Sequence, residues 1–109
     1  MIAYHWKASE MPYVRVSTMR ARAGAEAEVR RLLDDLVAYY SKQPGYIAGY
    51  RLEPTEPDGT FGRIGIWENH EDAEKAAQTD HDLALRSQLN LAVLDHLEHA
   101  YTGVEAPPA

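Results

Sequence analysis

Apolar and polar positions alternate from Tyr13 to Arg20. Val14, Val16 and Thr18 fall on one side and Tyr13, Arg15, Ser17 and Met19 on the other, the period of two of a β-strand. Ala23-Gly24 breaks this pattern. Val29, Leu32, Leu33, Leu36, Val37 and Tyr40 then recur at steps of three and four, which only a helix gathers onto one stripe. Glu26 and Glu28 stand near its start, opposing the positive end of the helix dipole, and Lys42 lies near its end. Pro44-Gly45 stops it. A second strand is expected over Tyr46 to Glu53, with Ala48, Tyr50 and Leu52 on one side, and the turn formers from Pro54 to Gly59 make a hairpin loop. The third strand, Thr60 to Glu68, places Ile64 and Ile66 on one face and Phe61, Arg63, Gly65 and Trp67 on the other. Asn69 is placed to cap a helix through Gln78. Thr79 with Asp82 resembles a capping box for a further helix, on which His81, Leu85, Leu89 and Ala92 share a face. A last strand is expected near Leu97 to Val104.

The order strand, helix, strand, strand, helix pair, strand is the split βαβ arrangement. It predicts an α+β, ferredoxin-like domain with a four-stranded antiparallel sheet and helices on one side. Helices cover only one face of such a sheet. Yet Val14, Val16, Ile64 and Ile66 emerge on one face while Met19, Phe61 and Trp67 emerge on the other. Leaving the four β-branched side chains in water forgoes about 1.5–3 kcal/mol each. Pairing with a second copy across a two-fold axis is therefore expected, the alternative cover being the arm or tail of the same chain. The arm is residues 1–12, with Tyr4 and Trp6; the domain is residues 13–104; residues 105–109 form a proline-containing tail.

The 109 residues suffice for one domain with a modest core. A formal net charge of −6 and the lack of a basic stripe argue against a nucleic-acid partner. Cysteine is absent, so disulfides, thiolate ligands and thiol nucleophiles are out of reach, and a cytoplasmic location is expected. No segment reads as a signal peptide or a membrane span.

The runs YVRVSTMRARAG, QPGYIAGYRLEP and GRIGIWENHEDAEKAAQ resemble the antibiotic biosynthesis monooxygenase family from about Tyr13 to Glu105. The shared marks are a helix closing on Pro-Gly-Tyr, and a strand ending in Trp-Glu followed by an acidic, alanine-rich helix start. They specify the fold better than the reaction. The resemblance implies a dimeric α+β barrel with a pocket between each sheet and its helices. In some members that pocket oxidises quinol- or polyketide-like aromatics with neither metal nor flavin; others degrade haem, and many have no assigned activity.

Trp67 aligns with the family's pocket tryptophan, where its N–H would donate to a substrate oxygen; the same residue would serve equally as core filling. His81, placed on the sheet-facing side of its helix, would act as general base on a phenol, or simply start the helix. Arg63 and Arg15 would hold a phenolate or enolate if aimed into the cavity. Tyr13, Ser17, Tyr50, Phe61 and Leu85 are the further candidates for its lining. Arg86 reads as helix surface. His96 and His99 suggest a metal with His70 or His81, but on a strand residues three apart face opposite sides, so no metal site is expected. The family's haem-degrading members use a first-strand asparagine where this chain has Ser17, which argues against haem. No cofactor is expected. Two classes of function stay open at this point: a cofactor-independent monooxygenase acting on a small electron-rich aromatic, and a non-catalytic dimeric module that binds a metabolite or a protein.

Overall fold

The computed structural model describes residues 11–106. Seven elements follow in chain order: β1 (Tyr13–Ala21), α1 (Glu26–Tyr40), β2 (Tyr46–Leu52), β3 (Phe61–Trp67), α2 (His70–Ala77), α3 (Asp80–Ala92) and β4 (Val93–Thr102). The strands form one antiparallel sheet in the order β2-β3-β1-β4. This is the ferredoxin-like α+β arrangement expected from the pattern of periods. Most of the expected arm, residues 1–10, and the end of the tail, residues 107–109, lie outside the described residues. Pro12 is described, and its carbonyl accepts from the Gly103 N–H at 2.8 Å, tying the start of β1 to the end of β4.

Local signals explain where each helix begins and ends. Gly24 and Gly45 adopt φ of +82°, a left-handed conformation that costs a residue with a Cβ. Gly45 has a second constraint: a Cβ there would lie 2.6 Å from Cβ of Asp72. Its carbonyl accepts from the Glu68 N–H at 2.8 Å, so the turn after α1 grips the end of β3. At α2 the Asn69 side chain accepts from the Asp72 N–H at 2.8 Å, and at α3 the Thr79 hydroxyl accepts from the Asp82 N–H at 3.2 Å. The capping box is not completed. Asp82 is one carbon shorter than the glutamate that normally reaches back, and its carboxylate is taken by Tyr40 and Arg86 instead.

The core lies between the sheet and the helices. Val29, Leu32, Leu33, Leu36 and Tyr40 of α1 meet Met19, Phe61 and Trp67 of the sheet, with Ala73, Ala76, Leu85 and Leu89 completing it. Strand β4 begins at Val93, four residues before its expected start, because it follows α3 directly and its register shifts opposite Arg20 and Ala21. On the other sheet face, Val14 and Val16 of β1 lie beside Ile66 and Ile64 of β3. Tyr50, Leu97 and Tyr101 extend that face and are more than half exposed.

Candidate functional site

Ser17 is the centre of the helix-facing sheet surface: Arg63 of β3 lies opposite it on one side and Glu98 of β4 on the other. One step along, Arg15 sits between Gly65 and Ala100, and one step the other way Met19 sits between Phe61 and His96. The strand period thus sets a row of charge between a hydrophobic row and a second arginine. Above them a cleft of about 460 Å³ opens between the sheet and the two short helices, lined by Arg15, Glu74, Ala77, Leu83, Arg86 and Glu98.

Arg15 and Arg86 line this cleft, and Arg63 reaches Glu98 on its wall. Arg15 is paired with Glu74, donates to the Tyr13 hydroxyl at 2.9 Å and lies 3.5 Å from Glu98. The Arg15 contact holds the Glu74 carboxyl below the usual carboxylate range. Arg63 is 5% exposed, its guanidinium lies 4.9 Å from the centre of the Tyr40 ring, and it reaches Glu98 at 3.5 Å. That contact is longer than a charge-assisted hydrogen bond, normally about 2.7–2.9 Å. Glu98 Oε1 therefore serves two guanidinium groups and holds neither tightly, so both keep donors suited to an anionic oxygen. Arg86 approaches Asp82 at 3.5 Å from α3.

Asp82 was read from the sequence only as a capping residue, yet it is fully buried and accepts from the Tyr40 hydroxyl. Burial pushes its carboxyl above the usual range, against the opposing pull of Tyr40, Arg86 and Arg63. Burial likewise raises the Tyr40 phenol, so Tyr40 stays a donor. A folded-state value raised above the unfolded one means that Asp82 favours folding when protonated, and this contribution is lost as pH rises through the folded value. Asp82→Asn keeps an acceptor for Tyr40 without the charge. It is expected to melt no lower than the wild type at pH 7, with any gain shrinking toward acid pH. Asp82→Ala strands the Tyr40 hydroxyl and is expected to cost about 1–3 kcal/mol. Urea unfolding of both variants across pH checks this; a larger loss for Asn than for Ala would overturn it.

Arg15, Ser17 and Arg63 lie on the helix-facing side of the sheet, Ser17 opposite Arg63, and Arg15 donates to the Tyr13 hydroxyl. Other expectations need correction. His81 is exposed, with its ring 4.7 Å from that of Tyr39, and lines a separate surface cleft with Asp35, Lys42 and Leu85. The helix turns Asp82 rather than His81 toward the core, since residues 82, 85, 89 and 92 form the buried stripe of α3. His81 is thus not positioned as a base for the central cleft. Tyr50 is 63% exposed on the outer face, so it cannot line that cleft either. Phe61 is buried, but it borders a different groove near Pro57 and Leu94, with Arg30 over its ring. Trp67 is 2% exposed and meets Tyr40 and Tyr46 edge-on, centres 5.8 and 5.4 Å apart; it is a wall of the core. Its indole N–H leans over Gly65, where a Cβ would be 3.0 Å away.

His96 faces the helices opposite Met19 and His99 faces outward opposite Val16, as strand geometry requires. Among the described residues no three His, Cys, Asp or Glu side chains are grouped to hold a metal ion. No described helix is long and apolar enough to cross a membrane.

Comparison with known proteins places this architecture. No curated protein sequence matches the chain. Among solved structures, the cofactor-independent oxygenase SnoaB from Streptomyces nogalater is 19% identical, with a TM-score of 0.79 over 91% of this chain and 99% of that one. Rv0793 from Mycobacterium tuberculosis is 14% identical, with a TM-score of 0.79 over 89% and 99% of the two chains. PA3566 from Pseudomonas aeruginosa is 18% identical, with a TM-score of 0.78 over 87% and 96%. At these identities the likeness is one of fold. The model of the antibiotic biosynthesis monooxygenase family matches residues 12–87, from the residue before β1 through most of α3. The chain belongs to the antibiotic biosynthesis monooxygenase family.

Proposed function

We infer that this protein is a dimeric, cofactor-independent monooxygenase whose substrate is a small electron-rich aromatic with an ionisable phenol or enol. The observation that carries the reading is a cleft of about 460 Å³ lined by Arg15 and Arg86, with the almost wholly buried Arg63 reaching Glu98 on its wall. Such a site stabilises charge as the substrate loses its proton, at positions already oriented and partly shielded from water. The cleft volume falls in the usual range for small-molecule sites, and its convergent polar lining favours chemistry over a purely structural module.

The chemistry then belongs largely to the substrate. Its anion passes one electron to O₂, the resulting radical pair joins through a new C–O bond, and the peroxide takes up a proton. Loss of water leaves a carbonyl. In total an aromatic CH₂ or its enol tautomer and one O₂ become C=O and H₂O, with O₂ as the oxidant. The protein supplies position and fixed positive charge.

The second copy is proposed to close over Val14, Val16, Ile64 and Ile66, with the exposed Tyr50, Leu97 and Tyr101 around them. The test of activity is oxygen uptake by the purified protein with a panel of anthrones and dihydroxynaphthalenes. Uptake above the spontaneous rate is expected, and His81→Ala should match the wild type. The absence of acceleration across the panel would remove the oxygenase reading.

A further inference from the structure

The ion pair between Arg15 and Glu74 runs across the central cleft. Arg15 rises from β1 on the sheet side, Glu74 comes from α2, and both line the cavity. Nη2 of Arg15 meets the Glu74 carboxylate through Oε1, and the same Nη2 donates to the Tyr13 hydroxyl at 2.9 Å. Nε faces Glu98 at 3.5 Å, and Nη1 makes no hydrogen bond to a described residue. The guanidinium fork, which a carboxylate fills best with both oxygens, is thus half used.

The two partners are not equally placed. The Arg15 side chain is 14% exposed and that of Glu74 39%. Glu74 loses little by letting go, because its carboxylate turns to water and keeps Nε2 of His70, 3.2 Å away. Arg15, set deeper, needs another anion in exchange. The local charge leads to the same requirement. Arg15, Arg63 and Arg86 stand against Glu74, Glu98 and Asp82, so one positive charge is left over when Glu74 withdraws. Burial pushes the Asp82 carboxyl toward its neutral form, which adds to that excess.

We propose that Arg15 is an anion subsite of the cleft, that Glu74 occupies it in the free protein, and that the carboxylate of an aromatic ligand takes Glu74's place. The incoming carboxylate bridges Nη1 and Nη2, which the single oxygen of Glu74 does not. Its ring lies against Ala77 and Leu83, the apolar part of the lining, and covers a Leu83 side chain that is otherwise half exposed. No covalent bond changes in the exchange; one carboxylate replaces another on the same guanidinium. The proposal deepens the oxygenase reading and rests on it for the aromatic half of the ligand. It makes the preferred substrates those that carry a carboxylate beside the ionisable phenol or enol.

The test is calorimetric titration of the full chain with 2-naphthoate and, as the uncharged counterpart at neutral pH, 2-naphthol. The wild type is expected to bind 2-naphthoate more tightly. Glu74→Gln removes the resident competitor, so 2-naphthoate should bind about three- to fivefold tighter, the size of a part-exposed ion pair, with 2-naphthol unchanged. Arg15→Gln, checked for native circular dichroism, should lose the preference for the carboxylate. Carboxyl-carbon NMR supplies a readout that a merely structural ion pair leaves still: Glu74, held below the usual carboxylate range by Arg15 in the free protein, should titrate closer to that range once 2-naphthoate is bound. Unchanged or weaker 2-naphthoate binding by Glu74→Gln, a Glu74 titration that the ligand does not move, or no saturable binding of 2-naphthoate would each overturn the proposal. The expected binding without oxygen uptake from any anthrone or dihydroxynaphthalene leaves the Arg15 subsite standing and removes the oxygenase reading. Oxygen uptake from those compounds with no binding of 2-naphthoate does the reverse.

Discussion

Arg63→Met is expected to lower oxygen uptake by roughly 100- to 1,000-fold, the usual effect of removing one preorganised donor from a developing oxyanion. The size follows from position. Arg63 is 5% exposed, so its charge acts with little screening, and its packing against Tyr40 holds the guanidinium in place. Methionine roughly keeps the volume, so the loss measures charge and hydrogen bonding more than packing. Arg63→Lys is expected to recover only part of the rate, because an ammonium lacks the planar fork that Tyr40 and Glu98 hold between them. The fall should appear in kcat as well as kcat/KM, since the interaction strengthens as the anion forms. A change confined to KM would show that Arg63 only binds the substrate.

The second large effect concerns assembly. Val16→Asp places a carboxylate on β1, an inner strand, beside Ile64 on the outer face. If a second copy covers that face, the substitution buries an unpaired charge, which interfaces tolerate poorly. Sedimentation equilibrium is expected to show a dimer for the wild type and a monomer for Val16→Asp, with the variant melting at lower temperature because dimer formation no longer stabilises the fold. A wild-type protein that sediments as a folded monomer at high concentration would sink the dimer outright. A variant that remains dimeric would move the interface to another surface.

Sequence reasoning succeeded where one element settles its own periodicity. The stripe of α1 through Val29, Leu33, Leu36 and Tyr40 packs inward as read, and Arg15, Ser17 and Arg63 share the helix-facing side because strand alternation leaves no other choice. The same rule separated His96 from His99. It failed at the start of α3: Leu85, Leu89 and Ala92 pack inward as read, but Asp82 rather than His81 opens the buried stripe. Histidine looked like the residue with chemistry and aspartate like a cap, yet Asp82 is the one buried. Its anchor, Tyr40, stands 42 residues earlier in the chain. No local signal marks that partnership.

Strand β4 shows the same division from another side. His96 entered the reading only as a rejected metal ligand and Glu98 not at all, although Glu98 falls within the expected last strand. What no local pattern showed is that β4 starts at Val93, directly after a helix. Short-range physics was enough for the element types, the faces of β1 and β3, and the two glycine-dependent turns, since each depends on neighbours a few residues apart. Which charges meet is a different matter. Arg15 with Glu74, Arg63 with Glu98 and Tyr40 with Asp82 join elements far apart in sequence, through contacts of a few ångströms that exist only once the helices have docked on the sheet.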